Sequence, residues 1–210
     1  MDFNDFLKKV VWLGHDGFRI DGSKTIYFDP FKIASTRKAD IILVSHEHFD
    51  HCSPDDIARI QKDNTIIITE KDSAEKLTGD VRVVTPGEVM TIGEVKVTTV
   101  PAYNIGKQFH PKEKGWLGFI VEIDGVRVYH AGDTDFIPEM KDLQVDVALL
   151  PVSGTYVMTA DEAVQAARAI RPRAVIAMHY GAIVGDETDA ESFMQALSDE
   201  MEVVILKPES

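Results

Sequence analysis

A chain of 210 residues with 44% hydrophobic and 27% charged residues can bury a full core, and one domain spanning residues 1–210 is the expected organisation. Lys and Arg number 22 against 35 Asp and Glu, a formal net charge of −13, so the mean field repels nucleic acid and anionic membrane surfaces. No run reaches the roughly eighteen uninterrupted apolar residues needed to span a bilayer. The acidic stretch Met1–Lys9 lacks the basic start of a signal peptide, and a single cysteine, Cys52, excludes an internal disulfide. The expected location is therefore cytoplasmic, without a membrane association; composition leaves homo-oligomerisation open.

Residues 1–45 read as strands. Val10–Leu13, Phe18–Asp21 and Thr25–Phe28 are short β-branched and aromatic runs punctuated by Gly14, Gly17 and Gly22, the pattern of an antiparallel meander. Asp29-Pro30 ends the third run, and Ile41–Val44 is apolar throughout, as suits a strand buried on both faces. Ser53 as N-cap, Pro54 in the first turn and Asp55-Asp56 behind it predict a helix to about Lys62. A strand at Thr65–Thr69, a helix near Asp72–Leu77 and a strand at Val81–Val84 follow, an alternation that favours helices layered outside a sheet.

Val89–Val100 returns to hairpin-like β structure with Gly93 at the turn, and Pro101–Trp116 is a long irregular stretch of the kind that often forms an active-site loop. Asp124-Gly125 joins the next hairpin, Leu117–Ile123 with Val126–Tyr129. Val147–Leu150 reads as a buried strand, Thr159–Ile170 as a capped helix closed by Arg171-Pro172, and Ala174–Met178 as a buried strand delivering His179. A helix near Ala190–Leu197 and a strand Val203–Ile205 complete the chain. Both halves run from strand-rich to α/β, with no repeat at the level of residues.

Chemistry concentrates in Ser45-His46-Glu47-His48-Phe49-Asp50-His51. Three imidazoles and two carboxylates in seven residues are costly to bury unpaired, and they suit zinc, iron or manganese as ligands. In an extended segment His46, His48 and Asp50 share one side while His51 points elsewhere, enough ligands in two directions for two neighbouring ions. By the same alternation Glu47 points away. A solvated polar loop is the bland alternative, and strand-end anchoring with a capped helix behind argues against it.

His46-x-His48-x-Asp50-His51, with Asp133 in Ala-Gly-Asp-Thr and His179 in Ala-Met-His-Tyr, resembles the signature series of the metallo-β-lactamase fold superfamily over nearly the whole chain. Trp12-Leu13-Gly14-His15 and Asp29-Pro30-Phe31 resemble its lactonase-like branch, which includes ascorbate-6-phosphate lactonases. The resemblance implies an α+β fold, a four-layer αβ/βα sandwich of two packed mixed β-sheets flanked by helices. It also implies two divalent metal ions, zinc first and manganese or iron as alternatives: His46 and His48 on the first, Asp50, His51 and His179 on the second, Asp133 bridging.

One position departs from the pattern. The first ion's third histidine is absent where Val100-Pro101-Ala102-Tyr103-Asn104 stands; His110, six residues beyond Asn104, is favoured to supply it over an Asn104 oxygen. Asp50 is also expected to orient a metal-activated hydroxide. His15 is read either as an acid or substrate contact or as a structural hydrogen-bonding residue, His130 as a support for the loop around Gly132, and Cys52 as a small buried thiol. Tyr103, Tyr156 and Tyr180 can offer hydroxyls, although packing at a sheet edge is commoner. The expected function is hydrolysis of a small, anionic ester, lactone or phosphodiester. A nuclease and a metal-binding scaffold or sensor without turnover are the alternatives.

Overall fold

In the computed structural model, which describes residues 2–209, the strands gather into two mixed sheets. A short helix that the strand reading of the N-terminus did not anticipate comes first: α1 (Phe3–Leu7), capped by Asp2, with Phe3, Phe6 and Leu7 buried. β1 (Val10–Gly14), β2 (Gly17–Asp21) and β3 (Thr25–Phe28) form the expected antiparallel meander. β4 (Ile41–Val44) then joins β3 in parallel. α2 (Pro54–Ile60) crosses over to β5 (Ile66–Thr69), and α3 (Lys71–Ala74) leads on to β6 (Asp80–Val83), both strands also parallel.

The second sheet repeats this plan. β7 (Val89–Ile92), β8 (Val95–Pro101), β9 (Leu117–Ile123) and β10 (Val126–His130) pair antiparallel, and β11 (Val147–Pro151) joins β10 in parallel. α4 (Ala160–Ile170), closed at its start by the Thr159–Glu162 capping box, precedes β12 (Ala174–Met178). α5 (Glu187–Leu197) begins three residues ahead of the expected Ala190 because Asp186 and Asp189 form a second capping box, and β13 (Glu202–Val204) ends the sheet.

β4 shows why these layers hold. Its four residues are all buried, and they alternate: Ile41 and Leu43 pack with Phe18, Phe28, Phe119 and Val128 in the core shared by the two sheets, whereas Ile42 and Val44 pack with Ile57 and Ile60 of α2. Each such side chain contributes roughly 1.5–3 kcal/mol by leaving water. The outcome is two packed mixed sheets flanked by helices, as expected. No helix among the described residues is long and apolar enough to cross a membrane.

The topology also positions the chemistry. β10, β11 and β12 run parallel to one another, so the segments that follow them, bearing Asp133, Ser153 and His179, emerge at one edge of the second sheet. The amide of Leu117 donates to the Ser45 carbonyl (3.0 Å), stitching the chain after β4 in the first sheet to the start of β9 in the second. Leu43→Ala, which opens a hole in the core directly beneath this edge, is expected to lower unfolding stability by about 2–5 kcal/mol, read as a reduced urea midpoint at unchanged m-value.

Candidate metal centre

After Val44 the chain leaves the sheet and turns, with the amides of His51 and Cys52 both donating to the His48 carbonyl (3.0 and 2.8 Å), before Ser53 caps α2. The turn folds the histidines onto a common side. His46 Nε2 and His48 Nδ1 lie 3.0 Å apart, and one nitrogen of His110 completes a group whose ligand atoms are all within 4.8 Å of one another. The Pro101–Trp116 stretch thus delivers His110 to the place the sequence left vacant. The Asn104 side chain is otherwise engaged: its oxygen accepts from the His110 amide (3.0 Å) and faces His110 Nδ1 (3.1 Å), and its nitrogen donates to Asp135 and to the Tyr156 carbonyl.

Asp133 is the centre of the arrangement. His110 Nε2 and His179 Nε2 each lie 3.2 Å from its Oδ2, and His51 Nε2 lies 3.4 Å from its Oδ1. Backbone geometry puts it there. Gly132, at φ +62°, comes so close to β9 that an added Cβ would stand 2.7 Å from the Leu117 carbonyl oxygen, so only glycine fits before Asp133. His15, Asp29 and His179 also adopt left-handed backbone, at φ 51°, 39° and 60°. Strain of this kind in non-glycine residues costs of order 1–3 kcal/mol each and clusters where a site demands it.

The far side of each ring is held as firmly. His51 Nδ1 donates to Asp29 Oδ2 (2.9 Å), and Asp29 also accepts from the Ser45 amide (2.7 Å) and hydroxyl (2.6 Å). With its own proton given to Asp29, the Ser45 hydroxyl accepts from His46 Nδ1 (2.9 Å). His110 Nδ1 faces two carbonyl-type oxygens, of Asn104 and Tyr156, and His179 Nδ1 bonds Ser153 Oγ (2.8 Å). Acceptors at Nδ1 require the proton there, which leaves Nε2 of His46, His51 and His110 as lone-pair donors. His51 Nε2, His110 Nε2 and Asp133 Oδ1 are accordingly buried without a hydrogen-bond partner.

Lone pairs converging on a carboxylate demand positive charge between them. Burial opposes charging of His51, yet Asp133 and Asp29 outweigh it and raise its pKa well above the ordinary range. Burial likewise opposes charging of His179, but Asp133 and Asp16 take it up to about 9. Burial favours the neutral acid at Asp133, whereas His179 and His51 hold it well below the usual carboxylate range. His46, through burial and then the neighbouring His51, is held well below the histidine range, which favours its neutral form. A divalent cation answers this demand with the donor set present, imidazole nitrogen and carboxylate oxygen.

The remaining residues sort by contact. Asp50 is partly exposed; its Oδ2 lies 3.0 Å from His15 Nε2 and 3.9 Å from His51 Nε2, at the cleft-facing side of the cluster. His15 is 1% exposed and braces Asp50 through Nε2, a contact in keeping with the structural of its two readings, while its carbonyl accepts from Trp12 Nε1 and the His179 amide. Glu47 points away, paired with Lys76 and Lys114. Cys52 is the small buried thiol expected, pushed up to about 11 chiefly by burial. His130 stacks on Phe28 and binds the Gly132 amide and the Asp16 carbonyl. Tyr103 bonds Glu139, Tyr180 stacks on Trp12, and Tyr156 alone of the three lines the cleft.

Several contributors escaped the sequence reading: Asp29 as the acceptor for His51, Ser45 and Ser153 as partners of ring nitrogens, and Asp16, fully buried beside the cluster. Only Asp29 carried a signal, in Asp29-Pro30, which marked a strand end without showing its partner.

The family model of the beta-lactamase superfamily domain matches residues 9–179. A UPF0173 metal-dependent hydrolase of Thermococcus onnurineus is 34% identical over 222 residues, covering 95% of this chain and 96% of the relative. The chain belongs to the metallo-β-lactamase superfamily, among the UPF0173 metal-dependent hydrolases. A second member, from Archaeoglobus fulgidus, is 36% identical over 226 residues, with 95% and 96% covered. Among solved structures, a protein of Parabacteroides distasonis proposed to be a metal-dependent hydrolase superposes with a TM-score of 0.85 at 37% identity, covering 95% of this chain and 93% of that one. Igni18, a metallo hydrolase of Ignicoccus hospitalis, shares the fold at a TM-score of 0.78 and 23% identity, with 96% and 95% covered.

If Asp29 orients His51 as described, Asp29→Ala should weaken metal retention about 10–100-fold while leaving the chain folded. Chelator competition on the metal-loaded protein measures this directly; unchanged retention would show that His51 needs no such support.

Proposed function

We propose that the chain is a hydrolase whose centre holds two divalent cations, one by His46, His48 and His110, the other by Asp50, His51 and His179, with Asp133 shared. The observation that carries this reading is the approach of three imidazole Nε2 atoms to the two oxygens of Asp133 within 3.2–3.4 Å. Zinc, manganese and iron all suit these donors. When bound, the ions supply Lewis-acid activation of a water and polarisation of the scissile carbonyl or phosphoryl group.

The chain's own residues do the rest. Asp50 faces the cleft with its Oδ2 fixed by His15, placed to accept a proton from an attacking water and to orient it. His15 is a positioning residue that acts through Asp50. Asp29, Ser45, Asn104 and Ser153 hold the four rings in one orientation, so no reorganisation is needed as charge develops.

The cleft bears on the substrate. A cavity of about 270 Å³ opens beside His48, Asp50, His110 and Asp133 and is walled by Phe49, Phe109, Tyr156 and Ile183. Phe49 is 68% exposed, Phe109 48% and Ile183 41%, although each would gain roughly 1.5–3 kcal/mol by burial. No lysine or arginine is among the lining residues, and the nearby Lys107, Lys76 and Lys114 are committed to Asp135 and Glu47. This lining favours a small ester or lactone with an uncharged apolar group over the anionic substrate expected from the sequence, and it disfavours a nucleic acid. The likeness of Trp12–His15 and Asp29–Phe31 to lactonases is in keeping with a lactone.

The test is a panel of alkyl and aryl lactones, acyl esters and phosphodiesters, run on metal-loaded protein. His48→Ala and Asp133→Ala are expected to lower kcat/KM by about a hundredfold or more. Phe109→Ala is expected to raise KM for hexanoyl or benzoyl esters about tenfold with kcat retained. Full metal loading without turnover anywhere in the panel would contradict the proposal and favour a scaffold or sensor.

A further inference from the structure

Asp16 is the residue for which the arrangement described so far has no use. It follows His15 in the tight turn between β1 and β2, is 0% exposed, and neither of its carboxylate oxygens has a hydrogen-bond partner. Its backbone is not free to move it elsewhere, since its carbonyl accepts from His130 Nε2 at 2.8 Å. A buried carboxylate left this way is among the costliest groups a fold can carry, and it persists where something absent from the polypeptide meets it.

The surroundings say what that is. A ligand atom of Asp16 lies within 4.8 Å of ligand atoms of Asp133 and His179, and another such group joins it to Asp29 and His51. One Asp16 oxygen stands 3.9 Å from His51 Nδ1. Among the described residues no lysine or arginine pairs with Asp16, Asp29, Asp50 or Asp133; their only charged partners are histidines. Four carboxylates around neutral imidazoles can match the charge of two divalent cations.

We infer that Asp16 is a ligand of the second cation, entering from the buried side of the site. This rests on the two-cation reading above. With Asp16 the protein ligands of that cation number five, beyond the four that tetrahedral zinc takes. It therefore favours a cation that accepts five or six nitrogen and oxygen ligands, such as manganese or ferrous iron.

The experiment is calorimetric titration of chelator-stripped protein with Mn²⁺ alone, followed by thermal melts of the apo and loaded forms, for wild type and Asp16→Asn. Wild type is expected to take up two equivalents. Asp16→Asn is expected to keep one within about threefold of its wild-type affinity and to weaken the other about tenfold or more. Mn²⁺ should raise its Tm by less than it raises that of wild type. Asp16→Ala gives the same comparison through a side chain that needs no hydrogen bond. Two equivalents of unchanged affinity in both variants would overturn the assignment of Asp16 alone; fewer than two in wild type would overturn the two-cation reading and the assignment with it.

Discussion

A buried carboxylate faced by imidazole lone pairs is tolerable only with positive charge between them, and that constraint organises this molecule. Asp133 is approached by His51 from the first sheet and by His110 and His179 from the second. Each of these residues sits just beyond a strand or on the loop joining β8 to β9, so the sandwich serves to bring two sheet edges to one point. The bond between the Leu117 amide and the Ser45 carbonyl fixes the spacing of those edges. Without the packed core beneath, the rings would have no reason to stay within 3.4 Å of a common carboxylate.

Holding such a site costs stability that the core must offset. His15, Asp29 and His179 adopt left-handed backbone, and Gly132 leaves no room for a side chain. The hydrogen bonds that Nδ1 donates to Asp29, Ser45 and Asn104 remove the remaining freedom, the tautomer and tilt of each ring. The site is thus rigid on its buried side and open only at the apolar cleft, where Phe49 is held edge-on against Phe31 and Phe109 against Tyr156. A rigid polar floor under an apolar mouth suits a reaction whose charge develops at the floor.

Much of this was legible in the chain. Alternation and turn residues located the meander, the all-apolar Ile41–Val44 announced a strand covered on both faces, and Ser53-Pro54 marked the start of α2. The density of histidines between them disclosed the metal chemistry, and the length of the Pro101–Trp116 loop made His110 a reachable donor. α1 was missed because five residues hold too little periodicity, and the start of α5 because Glu187-Thr188-Asp189 carries no apolar signal before Ala190. Ser153 and Asp16 were silent, and the partner of Asp29 was hidden, for a deeper reason: their roles exist only across the fold, as in the contact of Ser153 with His179. The same is true of His15, whose contact with Asp50 joins residues far apart in sequence.

The account stands or falls on where cations sit relative to Asp133. Anomalous diffraction at the metal absorption edge, from crystals of the metal-loaded protein, locates them without reference to any activity. Two peaks flanking the Asp133 carboxylate, one among His46, His48 and His110 and one against His51 and His179, are the predicted result. A protein loaded in solution whose crystals show no peak within bonding distance of Asp133 would contradict it.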